Sequence, residues 1–241
     1  MIIWKGVDLK TKGIINDNIP KIVRAKKNIE TYEVYGRNGF LSIDNDTYNS
    51  FNVSLECHIA DNANLDEVAK LLSGYGTLSF DGLRQTTAIV SSHIELDTIR
   101  NSGFKKFMLN FQCNPIFEDV VQTSRDYTNS FSPVDDYYRF LIEGSYYYKI
   151  EPEELEIEIS ADTDFYFNDR KFSLKSGHYF LNCKMKEIVD NDGDNASSSM
   201  SGDFPYLDTS GSNIIRSSTL PTTFKMKYRK PYLVGWLDEI I

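Results

Sequence analysis

Four stretches of the chain alternate between hydrophobic and polar residues, as strands with one buried face do. They lie at 51–59, 106–113, 154–159 and 223–228. The residues predicted to face a core are Phe51, Val53, Leu55, Cys57 and Ile59; Phe107, Leu109, Phe111 and Cys113; Leu155, Ile157 and Ile159; and Phe224, Met226 and Tyr228. Two of these strands lie early in the chain and two lie late.

Residues 30–43 predict a β-hairpin. The turn sequence Gly36, Arg37, Asn38, Gly39 separates the hydrophobic-rich segments "ETYEVY" and "FLSI", and Asn-Gly suits a hairpin turn with positive φ. No Lys-Ser or Lys-Thr follows the glycines, so the segment does not predict a phosphate-binding loop.

One segment predicts a helix. Asn64 is placed to cap its N-terminus, and Asp66 and Glu67 suit the positive end of the helix dipole. The apolar positions Leu65, Val68, Ala69 and Leu72 share a face, and Gly74 can end the helix.

The strand-rich pattern predicts a mainly β chain with two domains. The alternation is lost across 115–136, so we expect residues 1–122 to form a first domain and residues 123–241 a second. Pro231 interrupts the last strand, and about the final 15 residues can return to the first domain. The polar segment 190–203 is expected to be a mobile loop.

Composition narrows the class of protein. The 241 residues are 41% hydrophobic and 13% aromatic, which is typical of a globular chain rich in β-structure. The net charge of −9 argues against nucleic-acid binding by charge. The three cysteines, Cys57, Cys113 and Cys183, are odd in number and widely spaced, which indicates free buried thiols. Lys5 comes too early for a signal-peptide core, so we expect cytoplasmic synthesis.

No residue cluster predicts catalysis, a cofactor or a metal site. Glu154, Glu156 and Glu158 share a strand face, but a solvated charged face explains them as well as a carboxylate pair would. The loop "DNDGDN", residues 190–195, resembles a calcium loop but has Asn195 where an EF-hand needs glycine and Ser201 where it needs glutamate. The histidines show no metal-binding spacing.

The segment "MSGDFPYLDTSGSNII", residues 200–215, combines turn formers with many apolar residues. Either it packs on its own domain or it contacts another molecule. Internal packing of Phe204, Pro205 and Leu207 around a turn at Gly202 and Asp203 is the favoured interpretation. Tyr206 is the one aromatic residue here expected to remain exposed.

The order of these motifs resembles the distal tail proteins, called Dit, of long non-contractile-tailed bacteriophages and prophages. The likeness rests on "VYGRNGFLSID", the strand at 51–59, "NLDEVAKLLSGYGTLSFDG", "FKKFMLNFQCNPIFED" and "SMSGDFPYLDTSGSNII", and covers nearly the whole chain. In the last segment a Gly-Asp-Phe-Pro turn precedes a Gly-x-Asn-x-Ile strand.

The resemblance implies a ring-forming belt domain followed by a galectin-like β-sandwich. It implies a homo-hexamer at the virion tail tip, in contact with the tail tube protein, the tail-associated lysin or tail fibre hub, and a receptor-binding protein. Assembly would occur in the cytoplasm of the host bacterium, and DNA would pass through the ring without specific binding. The turn residues Gly36, Arg37, Asn38, Gly39, Gly202, Asp203, Phe204, Pro205 and Leu207 would be structural signatures.

Two other functions stay open from the residues alone. A carbohydrate-binding module recognising host cell-wall sugar would use aromatic platforms, which "YYYK" (146–149) and "DFYFND" (164–169) can supply. A glycoside hydrolase would need two carboxylates with separated pKa values in a cleft, and the sequence shows no such pair.

Overall fold

The computed structural model describes residues 1–18, 20, 24–36, 38–92, 106–128, 137–142, 149–209 and 211–233. The chain divides into two compact units. The first comprises Met1–Val120 together with Tyr232–Ile241, and the second comprises Val121–Pro231. Of the terminal segment, Tyr232 and Leu233 are described. Of the stretch 115–136, in which the sequence places the domain boundary, residues 129–136 lie outside the described residues.

The first unit contains one α-helix, α1 (Leu65–Leu71), and a 3₁₀ helix at Leu9–Lys12 among its described residues. Its strands are β1 (Ile3–Trp4), β2 (Val7–Asp8), β3 (Ile14–Asn16), β4 (Lys27–Glu33), β5 (Phe40–Tyr48), β6 (Phe51–Ile59), β7 (Tyr75–Ser79), β8 (Arg84–Val90), β9 (Lys106–Cys113) and β10 (Phe117–Asp119).

A large antiparallel sheet in the order β2-β1-β7-β8-β9-β6-β3 carries the core of the first unit. The alternation predicted for β6 and β9 is confirmed, with Val53 opposite Phe111 and Leu55 opposite Leu109, all four buried. Helix α1 begins as predicted, because Asn64 Oδ1 accepts hydrogen bonds from the amides of Asp66 and Glu67.

The second unit contains a 3₁₀ helix at Ser197–Ser199 among its described residues. Its strands are β11 (Thr123–Asp126), β12 (Tyr137–Leu141), β13 (Lys149–Ile150), β14 (Glu154–Ile159), β15 (Thr163–Phe167), β16 (Arg170–Leu174), β17 (Gly177–Asn182), β18 (Glu187–Asp190), β19 (Met200–Gly202), β20 (Leu207–Asp208), β21 (Ser212–Ser217) and β22 (Thr223–Tyr228). The last described strand, β23 (Pro231–Tyr232), lies where the chain returns to the first unit, and it belongs to that unit's sheet, in which it pairs with β10.

Two five-stranded sheets form a sandwich in the second unit. Their orders are β11-β22-β14-β17-β18 and β12-β21-β15-β16-β19. One core cluster contains the inward residues of both sheets. Phe224 of the first sheet lies 5.9 Å from Phe165 and 6.0 Å from Phe167 of the second, measured between ring centroids. The mainly β prediction is therefore confirmed.

Part of the segment 190–203 forms regular secondary structure where the sequence predicts a mobile loop. It contains the 3₁₀ helix and β19, which pairs with β16. Among the described residues, no helix is long and apolar enough to cross a membrane.

Candidate interaction surfaces

Gly202 ends β19 at a position that only glycine fits. It lies opposite Phe172 on β16 and has a φ of +96°. A Cβ atom here would lie 2.5 Å from the carbonyl oxygen of Lys171. Both the positive φ and this close approach exclude a side chain. The pairing of β19 with β16 therefore explains why the turn predicted at Gly202 requires glycine.

Asp203 and Tyr206 both contact the side chain of Arg170. Arg170 Nη1 lies 2.8 Å from Asp203 Oδ2, and the Arg170 guanidinium lies 5.1 Å from the centre of the Tyr206 ring. The Nζ of Lys149 lies 5.0 Å from that ring. A hydrogen bond to Tyr206 is the main cause that raises the pKa of Arg170. Tyr206 is half-buried between the two cations, so the expectation that it stays exposed is wrong.

The apolar residues of this segment pack on their own domain. Leu207 is fully buried in the sandwich core and lies opposite Ile150 in the short β13–β20 pair. Pro205 is buried, and Phe204 is half-buried against the core. The Nζ of Lys186 lies 5.7 Å from the Phe204 ring. Internal packing is therefore the role of this segment in the structure.

Two side-chain amides, the buried Asn213 and the half-buried Asn168, hold the segment in place. Asn213 Nδ2 donates to the carbonyl oxygen of Asp208, and Asn213 Oδ1 accepts from the Asp208 amide, both at 2.6 Å. Asn168 Nδ2 donates to Asn213 Oδ1 at 3.1 Å, and Asn168 Oδ1 accepts from the Ile214 amide at 2.9 Å. Asn213 is 1% exposed, so these bonds satisfy groups that water cannot reach.

The predicted hairpin is a two-stranded sheet formed by β4 and β5, which we call the ribbon (27–48). Gly36 and Gly39 have positive φ at its tip beside Asn38, while Arg37 lies outside the described residues. Large hydrophobic side chains are exposed on it: Ile29, Tyr32, Val34, Tyr35, Phe40, Leu41 and Ile43.

One side of the ribbon carries three neighbouring exposed hydrophobic side chains, with Glu30 opposite one of them. Tyr32 lies directly opposite Leu41, and Ile43 is two residues along from Leu41, so all three share a face. They are 45–48% exposed. We call these three residues the ribbon face. Thr31 and Ser42 lie opposite each other on the other side.

Cross-strand cations neutralise the acidic strand β14. Glu154 is paired in register with Lys227, and Glu156 with Lys225. Glu156 Oε1 also lies 3.0 Å from His178 Nε2. The pairing with Lys225 and Lys227 supports a charged face balanced by cations as the role of these glutamates.

The "DNDGDN" segment is a hydrogen-bonded turn. Asp190 Oδ1 accepts from the amides of Asp192 and Asp194, both at 3.0 Å, so its carboxylate is directed at its own backbone. Among the described residues, no group of three or more His, Cys, Asp or Glu side chains is arranged to hold a metal ion.

The three thiols are buried and free. Burial raises the pKa of Cys57, Cys113 and Cys183 to about 12 in each case. A thiol with so high a pKa is a poor nucleophile at neutral pH. These side chains therefore serve packing.

Sequence reasoning missed the exposure of the ribbon and the partner of Asn213. Alternation identifies residues that share a strand face but does not show whether anything covers that face. Asn213 stands at an inward position of its strand, which signals a buried polar group, but its partner Asn168 is 45 residues away.

No protein-family model and no curated protein matches the sequence. Among solved structures, this chain is similar to the crystal structure of SPP1 Dit (gp 19.1), whose description is "a Paradigm of Hub Adsorption Apparatus in Gram-positive Infecting Phages". The similarity has a TM-score of 0.72 and covers 95% of this chain and 98% of that chain, at 12% sequence identity. The two chains share a fold.

Proposed function

We propose that this chain is a distal tail protein of a long-tailed bacteriophage or prophage, a structural component and not an enzyme. Six copies form a ring at the tail tip. The ring connects the tail tube to the tail-associated lysin or receptor-binding apparatus. The shared fold with SPP1 Dit supports the family assignment, and the order of sequence motifs supports it independently.

The exposed hydrophobic side chains of the ribbon are the observation that supports the proposed ring. A hairpin of two strands is marginally stable in water by itself, and this ribbon pairs with no further strand in the described part of the chain. Seven of its large hydrophobic side chains are at least 42% exposed. An apolar surface of this kind on a globular protein marks a contact with another molecule. A second copy of the chain is the partner that a ring supplies.

A ring requires a head-to-tail contact, in which one surface of a subunit binds a different surface of the next. The ribbon provides the first surface. The second lies on the first unit of the neighbouring copy, which leaves the sandwich of the second unit available for the other components of the tail tip.

Electron microscopy of the purified full-length protein tests this proposal. We expect sixfold rings with a central hole, formed either by the protein alone or after addition of the tail tube protein of the same phage. Single particles of one subunit under both conditions would contradict the proposal.

A further inference from the structure

A cavity in the first unit lies between the 3₁₀ helix at its start and strand β3, which ends the order of its large sheet. The cavity has a volume of about 470 Å³, within the range of about 300–1,000 Å³ that is usual for binding pockets. Its apolar walls are formed by Met1, Ile2, Leu9, Ile14, Ile15 and Cys57. No described residue of the ribbon lines it. The first unit therefore carries both the ribbon and a separate apolar cavity.

Lys10 adds one positive charge to this cavity. Its side chain is exposed and forms no ion pair with any residue that the structure describes. Asp8 also lines the cavity, and its Oδ1 accepts a hydrogen bond from the Lys10 amide at 3.0 Å. The ammonium group of Lys10 thus stands beside apolar walls with its charge open to a carboxylate from another molecule.

The ribbon face has the complementary composition. Tyr32, Leu41 and Ile43 are exposed, and Glu30 lies directly opposite Ile43, on the same side of the ribbon. Glu30 accepts hydrogen bonds from the Tyr32 hydroxyl and from Asn45 Nδ2, and the bond from Tyr32 is the main cause that lowers the pKa of Glu30. Both donors are uncharged, so within the described part of the chain nothing neutralises the carboxylate.

We propose that the ribbon face of one copy covers this cavity on the next copy, with Glu30 paired with Lys10. Tyr32 and Leu41 then pack against the apolar walls of the cavity. The inference rests on the proposed ring, and it supplies the second surface that a head-to-tail contact needs. Each subunit has one ribbon face and one cavity, so every copy in a closed ring uses both.

A second copy suits these surfaces because the two match in both composition and charge. The exposed side chains of the ribbon face and the walls of the cavity both lose contact with water when they meet, which favours association. A single carboxylate then meets a single ammonium group, and this pair fixes how the ribbon lies on the cavity, because like charges at the same place would oppose the contact.

Reversal of each charge tests the pair. Mass photometry of the full chain gives the protein concentration at which half of it is assembled, under the conditions in which the unaltered chain forms rings. Lys10→Glu and Glu30→Lys each bring two like charges together and should raise that concentration at least about tenfold. The double variant restores opposite charges and should return to within about threefold of the unaltered chain.

Matched controls separate the pair from general charge and from misfolding. Lys70→Glu reverses an exposed charge on helix α1, and Glu33→Lys reverses one on the other side of β4 from Glu30. Both should assemble as the unaltered chain does, and equal melting temperatures confirm that all variants fold.

Cysteine cross-linking gives a second measurement that does not depend on charge. Rings of the double variant Lys10→Cys, Glu30→Cys should become covalent hexamers after addition of diamide, whereas rings of Lys10→Cys, Glu33→Cys should stay unlinked. The native thiols are buried and do not contribute. Normal assembly of both single charge variants, no assembly of the double charge variant, or unlinked rings of the first cysteine pair would overturn this inference alone. Absence of rings from the unaltered chain, even with the tail tube protein, would overturn the proposed function as well.

Discussion

The side-chain amide of Asn213 forms two hydrogen bonds with the backbone of Asp208, donating to its carbonyl oxygen and accepting from its amide at 2.6 Å each. These bonds link β21 to the end of the segment that contains Phe204, Pro205 and Leu207. The amide therefore ties β20, whose Asp208 is paired with Lys149 on β13, to the neighbouring strand β21.

Replacement of Asn213 by alanine should lower the free energy of unfolding by about 2 kcal/mol, because it removes two hydrogen bonds between the buried Asn213 amide and the backbone of Asp208. The neighbouring Ser212→Ala is the control, since Ser212 is exposed and should change stability by less than about 0.5 kcal/mol. Denaturant unfolding followed by fluorescence measures both. Equal stability of the two variants would show that the amide pair is not structural.

Gly202→Ala should destabilise the second unit more than Gly193→Ala does. Both glycines have positive φ, +96° and +85°, so each alanine incurs a backbone strain of about 1 kcal/mol. Only at Gly202 does the new Cβ meet the Lys171 carbonyl oxygen, while at Gly193 nothing lies within 4 Å. Thermal unfolding should therefore give a lower melting temperature for Gly202→Ala. The reverse order would refute the close approach.

The buried thiols should resist alkylation. Because burial raises the pKa of Cys57, Cys113 and Cys183 to about 12, almost no thiolate exists in the folded protein at pH 8. Mass spectrometry after iodoacetamide treatment should show no label on the native protein and three labels in denaturant. Fast labelling of one cysteine in the native protein would place that side chain at the surface.

The same thiols should make the fold sensitive to alkali. A group whose pKa is higher in the folded state favours folding below its unfolded pKa and loses that contribution as the pH rises through the folded value. Stability should thus fall from the ordinary thiol pKa of 9.0 towards about 12. The control variant is Cys183→Ala, which removes one of the buried thiols. Cys183→Ser is less suitable because it would bury a hydroxyl group. A melting temperature that stays constant over this range would contradict the burial.

The strongest sequence predictions were those that rest on local chemistry. Asn64 caps its helix and the glycines of the ribbon take positive φ, because each depends on its immediate neighbours. Alternation located β6, β9, β14 and β22 for the same reason. Two-residue strands such as β1 and β2 carry no period that a pattern can reveal.

Properties that depend on distant residues were not predictable in this way. The exposure of Tyr206 was misjudged because the cations that cover it, Lys149 and Arg170, come from other strands. The ribbon was located correctly, but its uncovered apolar side chains became visible only once the rest of the fold was in place.

A fragment of residues 121–231 should fold alone and remain monomeric. It contains both sheets of the sandwich and their common core, and it lacks the ribbon. It also keeps Arg229, which lies 3.1 Å from Glu153. Circular dichroism and light scattering check the two parts of this prediction. If the fragment formed hexamers by itself, the ring contacts would lie on the second unit, and their assignment to the ribbon would be wrong.

Sedimentation velocity of the full chain and two ribbon variants tests the central claim most directly. Under conditions in which rings form, the unaltered chain should sediment as a species with six times the subunit mass of 27.7 kDa. Leu41→Glu introduces a charge in the ribbon face and should sediment as a monomer. Ser42→Glu places the same charge on the other side of β5 and should retain the ring. A Leu41→Glu protein that still sediments as a hexamer would contradict the account.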